Sequence, residues 1–134
     1  MSGLYVQYGC GFSAPEGWKN FDASPTLQFE RLPVIGRLFT KNASRFPENV
    51  RYGDIVKGLP LADGTVDAVY ASHILEHLTL NDFHVALHNT LRLLSLVASF
   101  ALSFRTYDGA PKSMLARRRM EIQKLVLPFS ALVT

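Results

Sequence analysis

The chain has 134 residues, of which 48% are hydrophobic, so it can bury one core but hardly two. One cysteine excludes an internal disulfide, and because neither a signal peptide nor a membrane-spanning apolar run is evident, we expect a cytoplasmic globular protein without membrane partners. The net charge of +3 and the run Arg117–Arg119 could attract phosphates, but no aromatic residues interleave with the arginines, so nucleic-acid binding is not expected.

The first predicted elements are an apolar strand that opens into a glycine turn and a second short strand that ends on a carboxylate. The strands are Leu4–Tyr8 and Lys19–Phe21, and the turn reads Gly-Cys-Gly. Gly9 and Gly11 lack the Cβ atoms that would keep a ligand from the backbone, and Asp22 can accept hydrogen bonds from both hydroxyls of a ribose. The pattern indicates a nucleotide-type cofactor. The strands are too close in sequence for a full crossover helix, so the first helix is very short or replaced by a loop.

Two local alternatives remain open in this region. Asp22 could instead cap the turn into Ser24–Pro25, a frequent role of aspartate. The glycines could serve only a loop that needs positive φ. Residues 26–47 then read as a broken helix and a loop because prolines and a glycine interrupt them, and their predicted apolar stripe is Leu32, Ile35, Leu38 and Phe39.

The middle of the chain predicts two further strands and the clearest helix. Val50–Ile55 reads as a third strand ending in Gly-Asp, and a turn from Leu59 leads to a fourth strand before His73. Asp63 and Asp67 are expected to be structural. The helix spans Leu80–Leu94, starting with a capping-box-like pair, Thr79 and Asp82, and its apolar stripe is Leu80, Phe83, Leu87, Leu91 and Leu94.

The order of these motifs resembles class I S-adenosylmethionine-dependent methyltransferases of the small bacterial type. The order is Gly-Cys-Gly, the ribose Asp, Gly-Asp-Ile, Leu-Pro-Leu-x-Asp-Gly-x-Val-Asp-x-Val and Ile-Leu-Glu-His-Leu, over residues 4–94. The resemblance implies an α/β, Rossmann-like methyltransferase fold with a mostly parallel sheet flanked by helices. It also implies S-adenosylmethionine as cofactor and methyl transfer to an unknown small-molecule or glycan-precursor acceptor.

The resemblance also implies which residues contact the cofactor. In the family the glycine turn approaches the methionine part of the cofactor, and the aspartate at the end of strand two contacts the ribose. Asp54 and Ile55 would contact the adenine. The alternative for Asp54 is a plain turn residue. Cys10 is expected to pack and not to act as a nucleophile, because nothing nearby would lower its pKa. His73 and His77 are the candidate catalytic residues, since either could take the acceptor's proton. The full predicted cofactor set is Gly9, Cys10, Gly11, Asp22, Asp54, Ile55, Ser72 and His73.

A rival signal overlaps the end of the fourth strand. His73, Glu76 and His77 spell H-x-x-E-H, the inverted zinc-protease signature. The motif follows directly on a strand, so His73 is not expected to share a helical face with His77, and we predict no metal site. His84 and His88 repeat the four-residue spacing on the exposed side of the predicted helix. A zinc metalloprotease-like site is therefore only a remote alternative.

The last third of the chain departs from the family. Relatives usually turn through Lys-Pro-Gly-Gly after the helix, whereas this chain continues with the apolar run Leu96–Phe104, a possible fifth strand, and a possible helix at Met114–Leu127. We interpret residues 1–94 as the cofactor-binding core and residues 95–134 as a divergent segment, explained by a frameshift after Leu94. The sheet would then lack its last strands, and its exposed edge would favour self-association. An inactive S-adenosylmethionine-binding remnant, or a partner-dependent module, is the alternative function.

Overall fold

The structure, a computed structural model, describes residues 3–34, 45–72 and 74–103. The chain divides into two compact units, Met1–Phe104 and Arg105–Thr134, and all described residues lie in the first. The predicted helix Met114–Leu127 lies outside the described residues. The elements in chain order are β1 (Tyr5–Tyr8), β2 (Trp18–Asp22), α1 (Pro25–Glu30), β3 (Val50–Tyr52), β4 (Val66–Ser72), a 3₁₀ turn (Leu75–His77), α2 (Leu80–Leu93) and β5 (Leu94–Ser103).

The described strands form one parallel sheet in the order β3-β2-β1-β4-β5. The strand order reverses between β1 and β4, as in doubly wound α/β folds. The predicted Rossmann-like fold, a parallel sheet with flanking helices, is therefore confirmed. The predicted fifth strand is also present beside β4, although it begins at Leu94 directly after α2. That the sheet lacks further strands, and that a boundary lies at residue 94, stay predictions.

A loop, and not a helix, connects β1 to β2, as predicted. Residues 9–17 contain turns only. Without intrahelical hydrogen bonds, the loop is held by neighbouring groups. The Cys10 N–H donates to the Phe21 carbonyl at 3.3 Å. The side-chain amide of Asn20 donates to the Pro15 carbonyl at 3.1 Å, and that of Asn49 donates to the carbonyl of the preceding loop residue, Ala14, at 3.0 Å.

Helix α1 lies at the start of the segment predicted as a broken helix and a loop. Ser24 caps its start by accepting the Thr26 N–H, and the helix ends at Glu30. Its buried residue is Leu27, which packs with Phe46 and other core side chains. The prediction that Leu32 belongs to the buried stripe is wrong, because Leu32 follows the helix end and is 48% exposed. The other members of that stripe, Ile35, Leu38 and Phe39, lie outside the described residues.

Helix α2 begins as predicted, and the face that it buries includes Phe83 and Leu87 of the predicted stripe but not Leu80. Thr79 accepts the Asp82 N–H at 3.1 Å and donates its hydroxyl to the Asp82 carboxylate at 2.9 Å, which confirms the cap. The residues that the helix buries are Phe83, Ala86, Leu87, Thr90 and Leu93. Leu80 is 53% exposed, so its predicted place in the core is wrong. The Thr90 hydroxyl lies 3.0 Å from the Tyr8 hydroxyl, which fixes the helix against β1.

Two aspartates near β4 are structural, as predicted. Asp67 accepts the Leu4 N–H at 2.7 Å and thereby ties the start of β1 to β4. Asp63 forms a salt bridge of 2.9 Å with Arg92 of α2. Among the described helices, none is both long and apolar enough to cross a bilayer.

Candidate functional site

Those predicted site residues that the structure describes lie at or just after the carboxyl ends of four neighbouring strands. Tyr8 of β1 is level with Phe21 of β2 and Ala71 of β4. The residues that follow them, Gly9, Asp22 and Ser72, therefore lie at the same edge of the sheet. In open α/β sheets, ligands bind at this edge where the strand order reverses. The topology thus places the glycine turn and Asp22 at the usual ligand position of such folds.

The two glycines of the turn have different surroundings. Both have positive φ, 63° at Gly9 and 55° at Gly11, which L side chains rarely adopt. A Cβ on Gly9 would lie 2.7 Å from the Cβ of Ile74 in the segment after β4. A Cβ on Gly11 would meet nothing within 4 Å. Gly9 therefore admits a protein side chain, whereas Gly11 leaves open space beside its backbone.

Asp22 uses both carboxylate oxygens inside the protein. Oδ2 accepts the Gly11 N–H at 2.8 Å, and Oδ1 accepts the Ser24 N–H at 2.8 Å. The second contact is the turn-capping role that the sequence left as an alternative. Each carboxylate oxygen can still accept a further hydrogen bond, and the side chain is only partly buried. A contact with a ribose remains compatible with these bonds and stays a prediction.

Cys10 is a packing residue, as predicted. It is 5% exposed and belongs to a core cluster with Leu27, Phe46 and Val50. Burial raises the pKa of the Cys10 thiol to about 11, and the nearby negative charge of Asp22 adds to the rise. The thiol is therefore neutral at pH 7 and a poor nucleophile. The Cys10 side chain packs in the core, so any contribution of Cys10 to ligand binding would come from its backbone.

The segment after β3 carries the predicted adenine contacts. Asp54 Oδ1 accepts the Val56 N–H at 2.9 Å, so this residue does shape a turn. Asp54 Oδ2 is 3.9 Å from the exposed Lys57 ammonium group. Ile55 is 4% exposed, so only a small part of its side chain is accessible to a ligand. The adenine roles of Asp54 and Ile55 stay predictions.

The segment after β4 holds the candidate catalytic histidines. Ser72 is the last residue of β4, and His73 lies outside the described residues. His77 is exposed in the 3₁₀ turn, where its N–H donates to the Ile74 carbonyl. Glu76 and His77 thus lie in a 3₁₀ turn and not in the α-helix that a zinc-protease motif requires. Within the described part of the chain, no three metal-ligating side chains come together.

Gly53 is a site-supporting residue for which the sequence predicted no role. Its N–H donates to the Asp22 carbonyl at 3.1 Å, so it continues the pairing of β3 with β2. A Cβ at this position would lie 2.6 Å from the Phe21 ring and 2.9 Å from the Leu59 side chain. The sequence offers one signal for this role, a glycine directly before Asp54. Only the packing around Gly53 explains why a glycine is needed there.

A comparison with solved structures found a chain with a partial similarity. A solved complex between the Haloferax volcanii Trm112 methyltransferase activator and a methyltransferase contains a similar chain, with 21% sequence identity and a TM-score of 0.46. The match covers 74% of this chain and 43% of that chain. No curated protein matches the sequence.

The comparison with family models matches the central part of the chain. The model described as "Methyltransferase domain" matches residues 29–101. This stretch begins after the glycine turn and continues past Leu94, whereas the motifs quoted from the sequence cover residues 4–94. It includes β3, β4, α2 and most of β5. Because the matched stretch is more than half of the sequence, the chain belongs to the methyltransferase domain family.

Proposed function

We propose that the chain binds S-adenosylmethionine at the carboxyl edge of its sheet and transfers the methyl group to a small-molecule or glycan-precursor acceptor. The observation that carries the proposal is the convergence of Gly11, Asp22 and Asp54 at the ends of β1, β2 and β3. Membership of a methyltransferase family supports the same chemistry.

The chemistry of these groups fits the cofactor. Gly11 offers backbone with open space beside it, and Asp22 keeps lone pairs for ribose hydroxyls. The Asp54 carboxylate can accept from the exocyclic amine of adenine. When bound, S-adenosylmethionine supplies a methyl group already activated by the positively charged sulfur. The protein then has to orient the acceptor and exclude water, with little acid or base work.

The candidates for removing a proton from the acceptor are His73 and His77. Both belong to the segment after β4, next to the strand whose end lies beside the glycine turn. A neutral imidazole can accept a proton near neutral pH. His77 is exposed, so its imidazole is accessible from solvent. The proposed location is the cytoplasm, where a free thiol such as Cys10 is usual.

Titration calorimetry with S-adenosylhomocysteine tests the binding. We expect the wild-type chain to bind, and Asp22→Ala to weaken binding by about 1.5–3 kcal/mol, the usual loss for hydrogen bonds to a charged group. Asp63→Ala is the matched control, because the aspartate that it removes does not lie at the carboxyl end of a strand. Unchanged affinity in folded Asp22→Ala would contradict the ribose role. Stoichiometric zinc without nucleoside binding would instead support a metal site at His73, Glu76 and His77.

The alternative is a cofactor-binding remnant or partner-dependent module without activity of its own. A chain that binds the cofactor but methylates no acceptor, even beside candidate partners, would favour this alternative. Self-association through a sheet edge is a separate proposal, and sedimentation of the purified chain tests it.

A further inference from the structure

Asn89 of α2 makes a two-pronged contact with the loop that follows β3. Its Nδ2 lies 2.8 Å from the Ile55 carbonyl oxygen and 3.1 Å from the Val56 carbonyl oxygen. Because carbonyl oxygens only accept hydrogen bonds, the amide donates both of its hydrogens to them. Asn89 is partly buried on a helix whose neighbouring residue, Thr90, is anchored to β1. The loop is thereby fixed to the sheet through the helix.

The contact reaches Asp54 through one shared peptide. The Val56 carbonyl accepts a hydrogen bond from the Asn89 amide, and the Val56 N–H donates to Asp54 Oδ1 at 2.9 Å. The Ile55 carbonyl, which belongs to the peptide carrying that N–H, accepts the other amide hydrogen. Both peptides around Val56 are therefore held by Asn89, and one of them holds the Asp54 carboxylate. The orientation of that carboxylate thus depends on Asn89.

From this connection we infer that Asn89 is a positioning residue that aims Asp54 at the adenine end of the cofactor. The inference rests on the proposed function, in which Asp54 accepts from the exocyclic amine. Asn89 itself does not touch the ligand. Its effect should appear as a change in how well the site distinguishes adenine from a base without that amine. A purely structural role would lower stability and overall affinity but leave this discrimination unchanged.

The test compares S-adenosylhomocysteine with S-inosylhomocysteine, in which a carbonyl replaces the amine. Asn89→Asp keeps the side-chain shape but places carboxylate oxygens against two carbonyls, and Asn89→Ala removes the donors without adding charge. We expect the wild type to prefer the adenine ligand and both variants to lose about five- to tenfold of that preference, as for a lost hydrogen bond. Asn81→Asp is the control, because it adds the same charge at an exposed position of the same helix.

The outcomes separate this inference from the proposed function. If the wild type binds neither ligand, the proposed function fails and the inference fails with it. If the wild type binds both equally, or if Asn89→Ala keeps the full preference, the inference is wrong while cofactor binding stands. If Asn89→Asp does not fold, Asn89→Ala alone decides, because it introduces no repulsion.

Discussion

Replacing Gly9 by alanine should destabilise the fold more than the same change at Gly11. Both positions have positive φ, so each alanine should cost about 1–2 kcal/mol in backbone conformation. At Gly9 the new Cβ would also lie 2.7 Å from the Ile74 Cβ, and part of the segment after β4 would have to shift. Overpacking of this kind adds about 1–3 kcal/mol. Gly11 has open space and should lack this second cost.

Urea unfolding measures the difference. The chain has one tryptophan, Trp18 in β2, and its fluorescence can report on the sheet beside the turn. We expect Gly9→Ala to lose about 2–5 kcal/mol of unfolding free energy and Gly11→Ala about 1–2 kcal/mol. In a thermal scan, each kcal/mol corresponds to a shift in Tm of about 4 °C for a chain of this size, which lies between the ranges for smaller and larger domains.

Ligand binding should reverse the order. A methyl group on Gly11 would fill the open space where the cofactor is proposed to approach, so Gly11→Ala should weaken S-adenosylhomocysteine binding more than Gly9→Ala does. Equal stability losses, or a larger loss at Gly11, would refute the assignment of Gly9 to contact with Ile74. Equal binding losses would refute the placement of the ligand beside Gly11.

Two further predictions use the same purified protein. Gly53→Ala should cost about 1–3 kcal/mol, because its Cβ would overlap the Phe21 ring and the Leu59 side chain, and an unchanged urea midpoint would contradict this packing. Alkylation of Cys10 should be slow at pH 7 and accelerate only as the pH approaches about 11, and Asp22→Asn should shift this profile to lower pH. Because the folded-state pKa of Cys10 is raised, the stability that depends on its neutral form is present below the unfolded-state pKa and is lost as the pH rises through about 11.

Local patterns predicted where α2 begins but only part of the face that it buries. The Thr79 cap depends on neighbouring residues, so the sequence alone was sufficient for it. The buried face does not follow from the helical period alone, because apolar residues occupy several sides of this helix and more than one face satisfies that period. The hydroxyl contact between Tyr8 and Thr90 accompanies the observed orientation. This contact joins residues far apart in sequence, so the spacing of apolar residues along the helix does not reveal it.

The site shows the same limit. Strand ends marked by Gly9 and Asp22 could be recognised from the sequence, and a parallel sheet necessarily brings them to one edge. Their contacts could not be recognised. The space beside Gly9 was assigned to a ligand, but the Ile74 side chain lies there, and that contact depends on how the segment after β4 folds back.

The loop that replaces the first helix has polar neighbours because its backbone groups need hydrogen-bond partners. A helix satisfies most of its backbone groups internally, whereas residues 9–17 need partners from outside. β2 supplies three of them: Asp22 accepts the Gly11 N–H, the Phe21 carbonyl accepts the Cys10 N–H, and Asn20 donates to the Pro15 carbonyl. This requirement accounts for Asn20, a polar residue of β2 that is only 1% exposed. The shape of the loop and the position of the Asp22 carboxylate are therefore set together, and a ligand bound to one depends on the other.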